Sequence, residues 1–134
     1  MIKTVITSGK RKKAIASAKL TEGSGIIRIN KTILQNYGPK LSRLKIYEPI
    51  IIAGDLANSV DIDISVRGGG INGQAEASRL ALAKALVEYS KDSELKNVFL
   101  EYDRNLLVAD VRYKETRKPN RHGKARAKVQ KSYR

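Results

Sequence analysis

The sequence predicts a mixed α/β domain, in which a helix packs on a sheet, with a long basic C-terminal extension. Three observations carry this. Val60-Asp61-Ile62-Asp63-Ile64-Ser65-Val66 alternates apolar with polar residues, the period-two pattern of a half-buried strand. Ser78, Ala81, Leu82, Ala85, Leu86 and Tyr89 recur at helical spacing in a segment from about Gly73 to Ser90, with Asn72 as a plausible N-cap. At Arg112 the apolar pattern stops and the charge rises abruptly.

The other elements follow in chain order. Residues 2–8 are rich in β-branched side chains and read as a strand. Lys13 to Leu20 places Ala14, Ala16, Ala18 and Leu20 on one face, small enough for another element to sit close. Thr21 to Gly25 reads as a turn, and Ile26 to Asn30 as the second strand of the same hairpin. Ile33 to Tyr37 reads as a short helix closed by Gly38-Pro39, with another helical turn or two before Pro49. Residues 50–54 read as apolar and buried, without a periodicity that types them. Ser93 to Leu100 suits a short helix or strand, and Leu106 to Val111 reads as a last short strand.

The 134 residues suit one domain with tails, and 41% apolar content permits a core. The absence of cysteine excludes disulfides and thiolate chemistry and fits a reducing cytosol. No apolar run reaches the roughly 20 residues of a membrane helix. Ala14 to Leu20, interrupted by Ser17 and Lys19, is no signal-peptide core, so no export is expected.

The formal net charge is +14, unevenly distributed. Residues 1–20 hold six basic and no acidic residues, and residues 112–134 hold ten basic residues and Glu115. The segment between them is near neutral. Such ends repel each other until a polyanion neutralises them and releases its counterions. Neither end has the apolar face of an interfacial helix, so nucleic acid is favoured over a membrane. Residues 1–111 are expected to form the body. Residues 112–134, with few apolar side chains, are expected to be disordered alone and ordered on RNA.

Gly68-Gly69-Gly70-Ile71-Asn72-Gly73 matches G-x-G-x-x-G between a strand and a helix, the setting of a dinucleotide fingerprint. Too little chain follows for a doubly wound sheet, and no second strand ends in an acid about 20 residues on. Two other readings fit: a tight packing turn, or helix N-terminal amides facing an RNA phosphate. His122 is the only histidine, so a metal site is not expected. Asp61 and Asp63 share the polar face of a strand, an ordinary pattern that does not suggest paired-carboxylate catalysis. In the tail, Arg residues can fork onto phosphates, and Tyr113 and Tyr133 can stack on unpaired bases. A nucleotide-binding enzyme and a free-standing RNA chaperone are the competing classes.

Four stretches carry a resemblance: Gly9-Lys10-Arg11-Lys12-Lys13-Ala14, Gly23-Ser24-Gly25, Val66 through Ala77, and Gln130-Lys131-Ser132-Tyr133-Arg134. Together they resemble the small-subunit ribosomal protein S-nine family in its archaeal/eukaryotic form. Val108-Ala109-Asp110 and Ser132-Tyr133-Arg134 depart from the Thr-Arg-Asp and Ser-Lys-Arg of bacterial relatives. The resemblance implies a two-layer α/β sandwich like the second domain of ribosomal protein S-five, and no enzyme activity, cofactor, small-molecule substrate or membrane. It implies a cytoplasmic place in the small-subunit head, with small-subunit rRNA and neighbouring head proteins as partners. The rRNA contacts would be Lys10, Arg11, Lys12, Lys13, Arg67, Arg117, Lys118, Arg121, Lys124, Arg126 and Lys128. The tail tip, Lys131, Ser132, Tyr133 and Arg134, would reach peptidyl-site tRNA.

Overall fold

In the computed structural model, residues 3–127 are described. Strands are β1 (Val5–Arg11), β2 (Ala14–Glu22), β3 (Ile27–Ile29), β4 (Thr32–Ile33) and β5 (Val60–Arg67). Helices are α1 (Lys40–Ala53), α2 (Asp55–Asn58), α3 (Ile71–Ser90) and α4 (Ser93–Tyr102). The five strands form one sheet in the order β1-β2-β5-β3-β4. β1, β2 and β5 pair antiparallel, whereas β3 runs parallel to β5 and antiparallel to β4.

One face of the sheet is covered. Ala14, Ala16, Ala18 and Leu20 of β2, and Val60, Ile62, Ile64 and Val66 of β5, are buried. Opposite them lie Ala77, Ala81, Leu82, Ala85 and Leu86 of α3. Small residues set the distance between layers. A Cβ on Gly9 would lie 2.4 Å from the Ala77 carbonyl oxygen and 2.7 Å from the Ala81 amide, so β1 and α3 meet nearly backbone to backbone. Thr7 donates its hydroxyl to the Ala81 carbonyl at 2.7 Å in the same seam. α1 lies against α3, and Arg79 of α3 bridges Glu48 of α1 and Asp103 after α4.

Several expectations from sequence change. The first hairpin is β1–β2, not β2–β3. β5 inserts between β2 and β3, and Asp61 holds the turn that spans it by accepting hydrogen bonds from the Ser24 and Ile26 amides at 2.9 and 3.0 Å. Those amides also hold the Asp61 carboxyl below its ordinary range. α1 runs through Pro49, which is buried, and residues 50–53 are its last turn, with Ile51 pointing to solvent at 74% exposure. Ile33 belongs to β4, and only Leu34–Asn36 make a short 3-10 turn. Helix α3 begins two residues before Gly73, so its N-cap is Gly70 and Asn72 lies within its first turn. Residues 106–111 form no strand: Leu106 closes a 3-10 turn and the chain then runs irregularly.

Candidate nucleic-acid interface

The tip of the β1–β2 hairpin is a two-residue turn, Lys12-Lys13, with Lys12 at φ +54°, a left-handed value a lysine rarely adopts. The chain after β5 packs directly against this turn. Gly68 and Gly69 have φ of +77° and +66°, and their Cβ atoms would lie 2.5 Å from the Lys13 carbonyl oxygen and 2.9 Å from the Ala14 amide. The first two glycines therefore answer to packing and to backbone conformation. Gly70 meets nothing within 4 Å and faces open space.

A cleft of about 490 Å³ opens there. Its walls are Arg11 at the end of β1, Lys12 and Lys13 of the turn, Gly69 through Gly73 leading into α3, and Tyr113 and Lys114 of the irregular chain beyond α4. The first four amides of a helix lack intrahelical acceptors and carry a fixed positive partial charge. Lysines and helix amides thus converge on one concavity, beside an aromatic ring. The Lys10 ammonium stands 5.3 Å from the Tyr113 ring centroid, within cation–π range. Lys124 also crowds this region: its ammonium beside Lys114 is the main cause that lowers the Lys114 pKa, followed by desolvation and the charge of Lys13. Cations held this close to one another favour an anion between them.

Arg11 differs from its neighbours. Its Nε donates to Glu76 Oε2 at 2.6 Å, and one guanidinium nitrogen stands 3.3 Å from Asp110 Oδ2. Lys45 reaches the other oxygen of Glu76 at 3.4 Å, and Arg112 grips Asp110 with side chain and backbone. Burial raises the Glu76 pKa, but the Arg11 hydrogen bond and the Lys45 charge outweigh it and leave the group below its ordinary value. The Arg112 side chain and amide hold Asp110 well below the carboxylate range. These groups tie the hairpin, α1, α3 and the root of the tail together.

Sequence reasoning grouped Lys10, Arg11, Lys12 and Lys13 with the tail cations. The fold brings Lys12 and Lys13 together with Lys114, turns Arg11 inward, and sets Arg67 at the end of β5 opposite Ile15. Arg117 and Arg121 are exposed, while Lys118 and Arg126 bracket Glu115 at 2.6 and 2.9 Å. Lys128, Lys131, Ser132, Tyr133 and Arg134 lie outside the described residues. Lys114 and Lys45 were not expected at the site. Lys114 was legible as part of the basic run, whereas Lys45 gave no local signal. No strand follows α3 among the described residues, so the glycine loop does not sit in a βαβ nucleotide-binding unit.

Residues 9–134 match the profile of the family described as ribosomal protein S9/S16. The chain belongs to that family. It is 51% identical to the small ribosomal subunit protein uS9 of Methanococcus vannielii over 134 residues, covering 99% of this chain and all of that protein. It is 53% identical to the protein of the same name from Methanothrix thermoacetophila over 133 residues, with the same coverage. Membership joins the convergent cations to a family of ribosomal proteins, a structural and non-enzymatic kind of protein. No helix among the described residues is long and apolar enough to cross a membrane.

Proposed function

We propose that this protein is a structural constituent of the small ribosomal subunit in the cytoplasm, where it binds small-subunit rRNA in the head and lies beside other head proteins. The observation that carries the reading is the cleft in which Lys12, Lys13, Lys114 and the opening amides of α3 converge. Phosphate oxygens satisfy all of these donors at once, and neutralising Lys12, Lys13 and Lys114 releases counterions. Arg11 acts indirectly, by fixing the hairpin turn against α3. Arg67, Arg117, Lys118, Arg121, Lys124, Arg126 and Lys128 add backbone contacts along the body edge and the tail. Residues 112–134 order on the RNA, and Lys131 through Arg134 reach peptidyl-site tRNA.

Sedimentation of cell lysate tests the assignment. The protein is expected to travel with small subunits at low salt and to resist a moderate salt rise. Recovery at the top of the gradient in both salts would reject it. Arg134→Ala is expected to leave rRNA affinity nearly intact and to weaken peptidyl-site tRNA, read by footprinting of the tRNA on assembled subunits.

A further inference from the structure

The helix-free face of the sheet carries a pattern of its own. Successive outward positions fall into rows that cross the strands. The register sets Ser8 of β1 opposite Ser17 of β2, and Ser17 opposite Ser65 of β5. The solvent faces of strands are usually filled by β-branched or long side chains. Here three exposed serines in one row leave a low strip across three strands, about 10 Å wide at the usual strand spacing. None of their hydroxyls has a side-chain hydrogen bond among the described residues.

Cations flank the strip on both sides. One neighbouring row holds exposed Ile6, then Lys19, Asp63 and Arg28; the other holds Lys10, whose ammonium turns away to the Tyr113 ring, then exposed Ile15 and Arg67. Lys31 stands at the end nearest β3, in the turn that joins β3 to β4. Asp63 is the acid among these groups, and it pairs loosely with Arg28 at 3.7 Å. Lys19, Lys31 and Arg67 are exposed and have no acidic partner among the described residues. A depression of about 430 Å³ lies between Ser17, Lys19, Asn30, Lys31, Ile64 and Ser65, with Asp63 also on its wall and held toward Arg28.

We infer that this face is a second RNA surface, which seats a sugar–phosphate backbone across the strands. Hydroxyls that both donate and accept suit phosphate oxygens and ribose 2′-hydroxyls, and the flanking lysines and arginine supply the charge. Among the described residues no outward strand position of this face is aromatic, so stacking on bases does not contribute, and its ligand is the backbone of a folded RNA helix. An acidic protein could also meet the lysines, but it would not need an uncrowded row of hydroxyls. The inference rests on the RNA-binding reading above and concerns a different side of the molecule from the cleft.

The chain lacks cysteine, so single cysteines can be placed and labelled uniquely. Ser17→Cys, Lys12→Cys and, on the far helical layer, Asn97→Cys would each carry a tethered iron chelate in the full-length protein bound to small-subunit rRNA. Strand scission from positions 12 and 17 but not from 97 is the expected result. Scission from 12 without scission from 17 overturns the second surface and leaves the proposed function standing. No scission from any position, with no binding by the unlabelled protein, overturns both. Salt titrations give an independent measure: Lys19→Ala with Lys31→Ala should lower the log–log slope by about 0.7–0.9 for each phosphate left without its lysine. An unchanged slope, with the protein still folded by circular dichroism, also overturns the inference.

Discussion

Arg11 and Lys12 are sequence neighbours with the same charge, but the fold treats them as opposites. All three side chains line the same cleft, but Arg11 is 15% exposed and held by two carboxylates, while Lys12 and Lys13 have no acidic partner among the described residues. The root of the basic surface is internally neutralised and its rim is not. A run of four basic residues therefore contains two kinds of charge. One kind holds the framework, and the other remains available to a polyanion. Net charge identifies the class of partner, but only the positions of Glu76 and Asp110 show which cations can meet it.

The largest test of this division is removal of residues 112–134. RNA affinity should fall steeply and its salt dependence should flatten, by about 0.7–0.9 in log–log slope for each phosphate no longer neutralised. An unchanged slope in filter binding would show that the tail cations do not touch phosphate. Next comes the glycine loop, whose halves should respond in opposite senses. Gly69→Val puts a β-branched side chain at φ +66° against the Ala14 backbone and should lose about 2–4 kcal/mol in denaturant unfolding. Gly70→Ser, in extended backbone and open space at the N-cap, should be neutral or gain a few tenths of a kcal/mol. Equal losses at the two positions would break the distinction between packed and open glycines.

Arg11→Ala should cost about 1–3 kcal/mol, because Glu76 loses its nearest hydrogen-bonding cation. Both carboxylates of the network have lowered values in the fold, so on acidification the unfolded chain binds protons first. Their contribution is complete above the unfolded carboxylate range and is lost as pH falls through the folded values. The Arg11→Ala variant should therefore lose less stability than the parent from about pH 5 downward. A parallel pH profile would show that the pair does not couple to folding. Lys12→Ala with Lys13→Ala should, like Gly70→Ser, stay within about 0.5 kcal/mol of the parent in stability, but with a lower RNA salt slope.

Much of this arrangement was legible beforehand, and the failures share a cause. β5 and α3 are long and strongly periodic, and their buried faces match the alternation of Val60 to Val66 and the spacing of Ser78 to Leu86. Gly23 to Gly25 bend as expected, although Thr21 and Glu22 still belong to β2, but turn chemistry is local and cannot announce that β5 will enter between the strands it joins. Lys12-Lys13 carries none of the glycine or asparagine that marks a tight hairpin, so β1–β2 went unread. Pro49 suggested a helix end, although α1 runs on through it. At the interface, the basic segments were visible as composition. The inward turn of Arg11 was not, because Glu76 and Asp110 lie 65 and 99 positions away in sequence.

The placement of β5 also constrains the order in which the chain can fold during its own synthesis. β1 and β2 can pair as soon as both have been made, since a two-residue turn joins them. β3 cannot take its final place when it appears, because its neighbour β5 begins at Val60, about thirty residues later. Until β5 emerges, the inner edge of β2 and the short β3–β4 ribbon wait with unpaired backbone, and Asp61 cannot yet hold the turn between them. Its arrival fills the gap in the middle of the sheet, and α3 follows almost at once to cover the alanine face. Synthesis past Arg67 is thus the step at which a lone hairpin becomes part of a continuous five-stranded sheet.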